Sequence, residues 1–155
     1  QSIVWNIFMG KELRYPFGFI REKEQIREAN RLIREIGFTS KLINAESPVG
    51  NLSGGERQGV AIARAIYNNA ELIILDEPTN NLSLNETQKV FDFVLNVKKS
   101  NRSVLFIGHN IYHVYDISDR FVILDRGEVV HHLNKENIQS PEELMKIMRD
   151  TIKSH

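Results

Sequence analysis

The chain has 155 residues, 41% of them hydrophobic and 26% charged, and its 20 basic residues balance 20 acidic ones. That is enough chain for one core, and a net charge of zero argues against the broad positive footprint of a nucleic-acid binder or a polybasic membrane anchor. The absence of cysteine excludes disulfide scaffolds, thiolate metal sites and cysteine nucleophiles, no apolar run approaches the ~20 residues that span a bilayer, and Gln1-Ser2-Ile3-Val4-Trp5 has neither a basic leader nor an initiating Met, so the chain reads as internally started.

In chain order, Ile26, Ala29, Ile33 and Ile36 recur at three- and four-residue steps and predict an amphipathic helix over 21–36, with Gly37 as its stop. Its Arg and Glu residues, among them Arg31 and Glu35 one turn apart, read as a solvated face. Residues 40–51, with Ser47-Pro48 and Gly50-Asn51, read as a loop. A second helix is predicted over 54–68, where Val60, Ala63, Ile66 and Tyr67 share a face. The period then changes: Leu72-Ile73-Ile74-Leu75 is a continuous apolar run suited to a strand buried on both faces, and it stops at Asp76-Glu77-Pro78. A helix over 84–99 follows, opened by a capping box of Ser83 and Glu86, and then a second buried strand over 104–107 that Gly108-His109 closes. A short helix over 111–117, a hairpin whose strands flank Asp125-Arg126-Gly127, and a terminal helix over 141–152 complete the order. Strands alternating with helices predict an α/β fold with right-handed crossovers, a mostly parallel sheet and helices on its faces. Ligands of such sheets sit beyond the carboxyl ends of the strands, which places Asp76, Glu77 and His109 on one rim.

Three segments carry candidate chemistry. Leu52-Ser53-Gly54-Gly55-Glu56-Arg57-Gln58 opens the second helix, where unpaired N–H groups and the positive end of the helix dipole favour an oxyanion. Two glycines let that anion approach the backbone and the Ser53 hydroxyl can add a hydrogen bond; equally, Ser53 and Glu56 suit an ordinary capping box with glycines that only turn the chain. At the end of the first strand, Asp76 suits a hydrated Mg²⁺ and Glu77 suits orienting or deprotonating a water that attacks a phosphate, while an acidic pair there also suits a solvated turn. His109 is placed either for a structural role or for contact with a terminal phosphate.

Together these segments resemble the ATP-binding cassette (ABC) ATPases: residues 52–58 read as the family's signature sequence, 72–78 as its Walker B strand, and His109 as its switch histidine. The resemblance implies a P-loop NTPase-like fold, and it implies that Asp76 acts on Mg²⁺, Glu77 is the general base and His109 contacts the γ-phosphate of ATP. It further implies that Ser53, Gly54, Gly55, Glu56 and Gln58 face ATP held by a second ATPase domain. The segment 6–12, the loop Thr79-Asn80-Asn81-Leu82-Ser83 with Ser83 where the common D-loop has Asp, residues 106–110 and the stretch 119–127 look closest to importers of ribose- and fructose-type sugars. That resemblance implies a permease partner, indirectly a sugar-binding protein, no nucleic acid, and a cytoplasmic place on the inner face of the membrane.

A P-loop, G-x-x-x-x-G-K-[ST], is not found: Lys99-Ser100 and Lys153-Ser154 lack both glycines, and Gly10-Lys11 is followed by Glu12. The chain is therefore expected to be the C-terminal part of a sugar-importer ATPase domain without its Walker A motif, and to be inactive alone. The expected segments are a helical and signature part over 1–70, an α/β core over 71–131 and a helical tail over 132–155. Two other readings stand beside it: a non-catalytic module that docks on a permease through residues 1–50, and a piece of a soluble ABC ATPase without a transport role.

Overall fold

The computed structural model describes residues 1–153. It divides into two compact units, Gln1–Ile107 and Gly108–His155.

The first unit is built from helices outward. Helix α1 (Ile3–Phe8) is short and was not legible as a separate element, yet Ile3, Ile7 and Phe8 are wholly buried. Its leading N–H groups find loop carbonyls in place of a side-chain cap: Ile3 donates to Ser47 and Val4 to Ala45. Trp5, on the same helix, is half-exposed. Helix α2 (Glu22–Glu35) follows the predicted periodicity, burying Ala29, Leu32 and Ile33 and leaving Arg31 outside between Glu28 and Glu35. Such exposed pairs are worth about 0.3–0.5 kcal/mol each, so α2 is held by its apolar stripe.

Helix α3 (Gly54–Tyr67) and helix α4 (Leu84–Lys99) match their predicted spans closely, and both begin with a complete capping box, Ser53/Glu56 and Ser83/Glu86. They pack with Gly59 at the contact, where a Cβ would stand 2.5 Å from Phe93 Cε2 and 2.6 Å from Phe38 Cε2. Only glycine lets the two stacked rings close over the helix backbone. Between α3 and α4 runs strand β1 (Leu72–Asp76), which pairs in parallel with strand β2 (Ser103–Ile107) in the register Ile73 to Val104 and Asp76 to Ile107.

Burial of these strands corrects one expectation. Ile73 and Leu75 are buried, but Leu72 and Ile74 are 53% and 60% exposed, so the continuous apolar run is covered on one face and open on the other. The helices of this unit cover one side of the pair, and β-strand side chains alternate sides whatever their polarity.

In the second unit, helix α5 (Ile111–Ile117) precedes strands β3 (Arg120–Asp125) and β4 (Glu128–Asn134), which form the predicted antiparallel hairpin. Its two turn residues, Arg126 and Gly127, both have positive φ, 47° and 87°, as the tightest hairpin turns require. Helix α6 (Pro141–Lys153) packs Leu144 against Phe121, Ile123 and Ile138. The expected α/β class holds: a helical region precedes a parallel pair and an antiparallel pair of strands, a partial P-loop NTPase-like arrangement. No helix of the described residues is long and apolar enough to cross a membrane.

Candidate functional site

The signature-like turn is held by a set of side-chain and backbone hydrogen bonds. Ser53 Oγ accepts the Glu56 N–H at 3.3 Å while Glu56 Oε2 accepts the Ser53 N–H at 2.9 Å, so the ordinary capping box is present. The Gly54 N–H, which a phosphate would otherwise compete for, donates to Glu86 Oε1 at 2.7 Å. Of the three leading N–H groups of α3, that of Gly55 takes no partner among the described residues. The two glycines have different steric reasons. A Cβ on Gly54 would stand 2.3 Å from the flexible tip of Leu82 and 3.3 Å from Glu86 Oε1, both side-chain atoms, whereas one on Gly55 would stand 2.6 Å from the Glu86 carbonyl oxygen, which is backbone. Gln58 lies a turn further along, half-buried on α3.

Charge reinforces the turn. Lys89 Nζ reaches Glu56 Oε1 at 2.7 Å. Burial alone would raise the Glu56 carboxyl, but the Lys89 ammonium and the Ser53 N–H together outweigh it and hold this group below its ordinary value. Glu86 is lowered as well, by the Ser83 N–H first, then the Ser83 hydroxyl and the Gly54 N–H. These contacts across about thirty residues of chain escaped the sequence reading, in which Glu86 was only a local cap and Lys89 had no role. The repeated Ser-x-x-Glu at 53–56 and 83–86 was the available signal, because twin caps on packed helices bring two carboxylates to one place.

The carboxylates lie at the other end of the 77–83 loop. Asp76 ends β1 and Glu77 follows it, both exposed. Glu77 adopts φ 46°, in the left-handed region, with its N–H donated to the Ile107 carbonyl of β2 and its carboxylate accepting from Asn80 Nδ2. No cluster of three or more acidic, histidine or cysteine side chains suited to a metal occurs among the described residues. Asp76 still fits Mg²⁺, which takes one or two carboxylates and completes its shell with waters and substrate phosphates. His109 stands exposed at the start of the second unit, one residue before Asn110, whose side chain caps α5 by accepting the His113 N–H. Signature turn and acidic pair thus belong to one unit, and His109 to the other. A groove of about 430 Å³ near Tyr67 and Arg31 is lined by none of these residues.

Comparison with known proteins adds to this geometry a set of likenesses, one of them to a family model over part of the chain. Residues 5–80 match the family model described as ABC transporter. Among curated proteins, the xylose/arabinose import ATP-binding protein of Sulfolobus acidocaldarius is 40% identical over 146 residues, 94% of this chain and 57% of its own length. The ribose import ATP-binding protein 2 of Escherichia coli O157:H7 is 33% identical over 91% of this chain and 27% of its own length. The chain therefore spans about half, or about a quarter, of the curated relatives it matches. A solved inward-facing ABC transporter aligns with TM-score 0.74 at 26% identity, covering 96% of this chain and 58% of the other. A nucleotide-free ATP-binding cassette aligns with TM-score 0.74 at 20% identity, over 96% of this chain and 59% of that one, and shows the fold alone.

One expectation is overturned here. The matched family core falls on residues 5–80, at the N-terminal side of the chain, and this does not bear out a C-terminal, Walker A-less fragment. The inactivity expected of such a fragment goes with it. The expectation rested on a motif that was not found, and a missing motif fixes no position within a parent protein. The ABC-transporter, nucleotide-binding and sugar-transport themes are those of the matched proteins.

Proposed function

We propose that this chain is part of the ATP-binding, ATP-hydrolysing subunit of an ABC importer for a simple sugar. The observation that carries the reading is the 40% identity over 94% of the chain to a xylose/arabinose import ATP-binding protein. In this reading MgATP is the substrate, Asp76 holds the hydrated Mg²⁺ and Glu77 draws a proton from the attacking water. Exposure of both carboxylates at the carboxyl end of β1 supports these roles, since the rim of a parallel sheet is where a phosphate can reach them. His109 contacts the γ-phosphate. The Ser53–Gly55 turn, with Glu56 and Gln58 behind it, faces ATP held by a second copy of the domain; the Gly55 N–H, which takes no partner among the described residues, supports that role. The remaining partners are a permease and, through it, a sugar-binding protein, with the subunit cytoplasmic and peripheral to the membrane. Within the parent subunit, residues 1–70 form the helical and signature part, 71–131 the core strands and 132–155 the tail.

Steady-state ATP hydrolysis by the full-length protein tests the assignment. Mg²⁺-dependent turnover that Glu77→Gln lowers by about a hundredfold or more is expected. Turnover that survives this substitution would remove Glu77 from the role of base, and no turnover in the presence of permease would remove the reading.

A further inference from the structure

The loop that begins at the acidic pair does not simply end in helix α4; it is fastened there to the signature turn. The Glu86 carboxylate accepts from two helix N-termini at once: Oε2 takes the Ser83 N–H at 3.0 Å and the Ser83 hydroxyl at 2.9 Å, and Oε1 takes the Gly54 N–H at 2.7 Å. One turn along α4, Lys89 holds Glu56. The α4 backbone also approaches Gly55 closely, so that a Cβ there would stand 2.6 Å from the Glu86 carbonyl oxygen. The loop between is bonded to itself, with Asn80 N–H donating to Glu77 O and Leu82 N–H to Thr79 O. A continuous bonded path thus runs from β1 through residues 77–83 to the first turn of α3, inside one compact unit.

We propose that Glu86 is a positioning residue for ATP hydrolysis, which fixes the Ser53–Gly55 turn against the Asp76–Glu77 rim by capping helices α3 and α4 with a single carboxylate. By occupying the Gly54 N–H, Glu86 leaves the half-buried Ser53 hydroxyl and the N–H of buried Gly55, unpartnered among the described residues, as the remaining groups of this turn. Two nearby helix N-termini each carry partial positive charge, and one anion between them stabilises both and opposes their separation. The inference rests on the reading of the signature turn given above. It adds a residue that touches no nucleotide itself and whose loss displaces the residues that do.

The test uses the full-length protein with Glu86→Ala, Glu86→Gln and, as a stability control, Asn96→Ala, which removes the bond from α4 to the Ile36 carbonyl. Glu86→Ala is expected to lower kcat about tenfold while leaving KM for ATP and the affinity for a fluorescent ATP analogue within about twofold. Glu86→Gln, whose amide oxygen still accepts the Gly54 N–H, should recover most of the rate. Asn96→Ala should lower the melting temperature without lowering kcat. Should Glu86→Ala not fold, Glu86→Asp serves, because a carboxylate one methylene shorter cannot bond both helices and the same loss of kcat is expected. A kcat within twofold of wild type in folded Glu86→Ala or Glu86→Asp, or an equal loss in Asn96→Ala, overturns the positioning role while the assigned activity stands. Absence of turnover in the wild-type protein with its permease overturns both.

Discussion

The two ends of the 77–83 loop are held in opposite ways. At its α4 end the polar groups are committed to one another: Ser83, Glu86, Gly54, Ser53, Glu56 and Lys89 bond across two helices, although Ser83 itself is exposed. At its β1 end Asp76 and Glu77 are exposed, and Glu77 sits in a backbone region that costs a residue with a Cβ about 1 kcal/mol. The difference separates groups that tie two helices together from carboxylates that lie at the surface of the strand rim. An exposed carboxylate in an unfavourable backbone conformation adds little stability, whereas a carboxylate that caps two helices is part of the scaffold.

Substitutions can break or sharpen this contrast. The largest effect is expected at the packed end: Gly59→Ala forces a methyl into the Phe38 and Phe93 rings, and overpacking of about 1–3 kcal/mol should exceed the roughly 1 kcal/mol that alanine gains in a helix. Urea unfolding would show it, and a stabilised variant would mean that the rings move aside freely. Next comes Ser53→Ala, which removes an N-cap and should cost about 1 kcal/mol, with Ser83→Ala alike. Glu77→Gly should lie within about 0.5 kcal/mol of wild type, because relief of the left-handed strain offsets the extra freedom of the unfolded chain. A large loss of stability there would erase the contrast.

The smallest expected effect is on acid stability. Glu56 and Glu86 are both lowered in the folded protein, so their contribution is complete above the unfolded carboxyl value of about 4.3 and is lost as the pH falls through their folded values. Unfolding midpoints of wild type and Glu86→Gln should therefore differ most above about pH 4.3 and converge in stronger acid. Parallel curves would show that Glu86 is not lowered by folding.

Local chemistry was legible in the sequence and distant contact was not. Periodicity located α2, α3 and α4, and both capping boxes could be read, because each depends on residues at most four positions apart. Helix α1 escaped because six residues give too few turns to show a period, and loop carbonyls stand in for the cap that would announce it. The strands were found but not their exposure, since an apolar run does not reveal how many layers cover it. At the site, the residue types of the signature and acidic segments were readable, while the bond from Glu86 to Gly54 was not, because no local pattern encodes which helix a carboxylate will face. The position of the chain within a longer protein was also beyond such reading.

Trp5 is the chain's sole tryptophan, and it rides half-exposed on α1 while its helix neighbours Val4, Ile3 and Ile7 are buried. Excitation at the red edge of the protein spectrum therefore addresses a single place, the seat of α1 on the first unit. Its emission serves as a built-in optical gauge: a variant at the α3–α4 contact that loosens the whole unit will shift it, and one that disturbs only the acidic rim will leave it dark to the change.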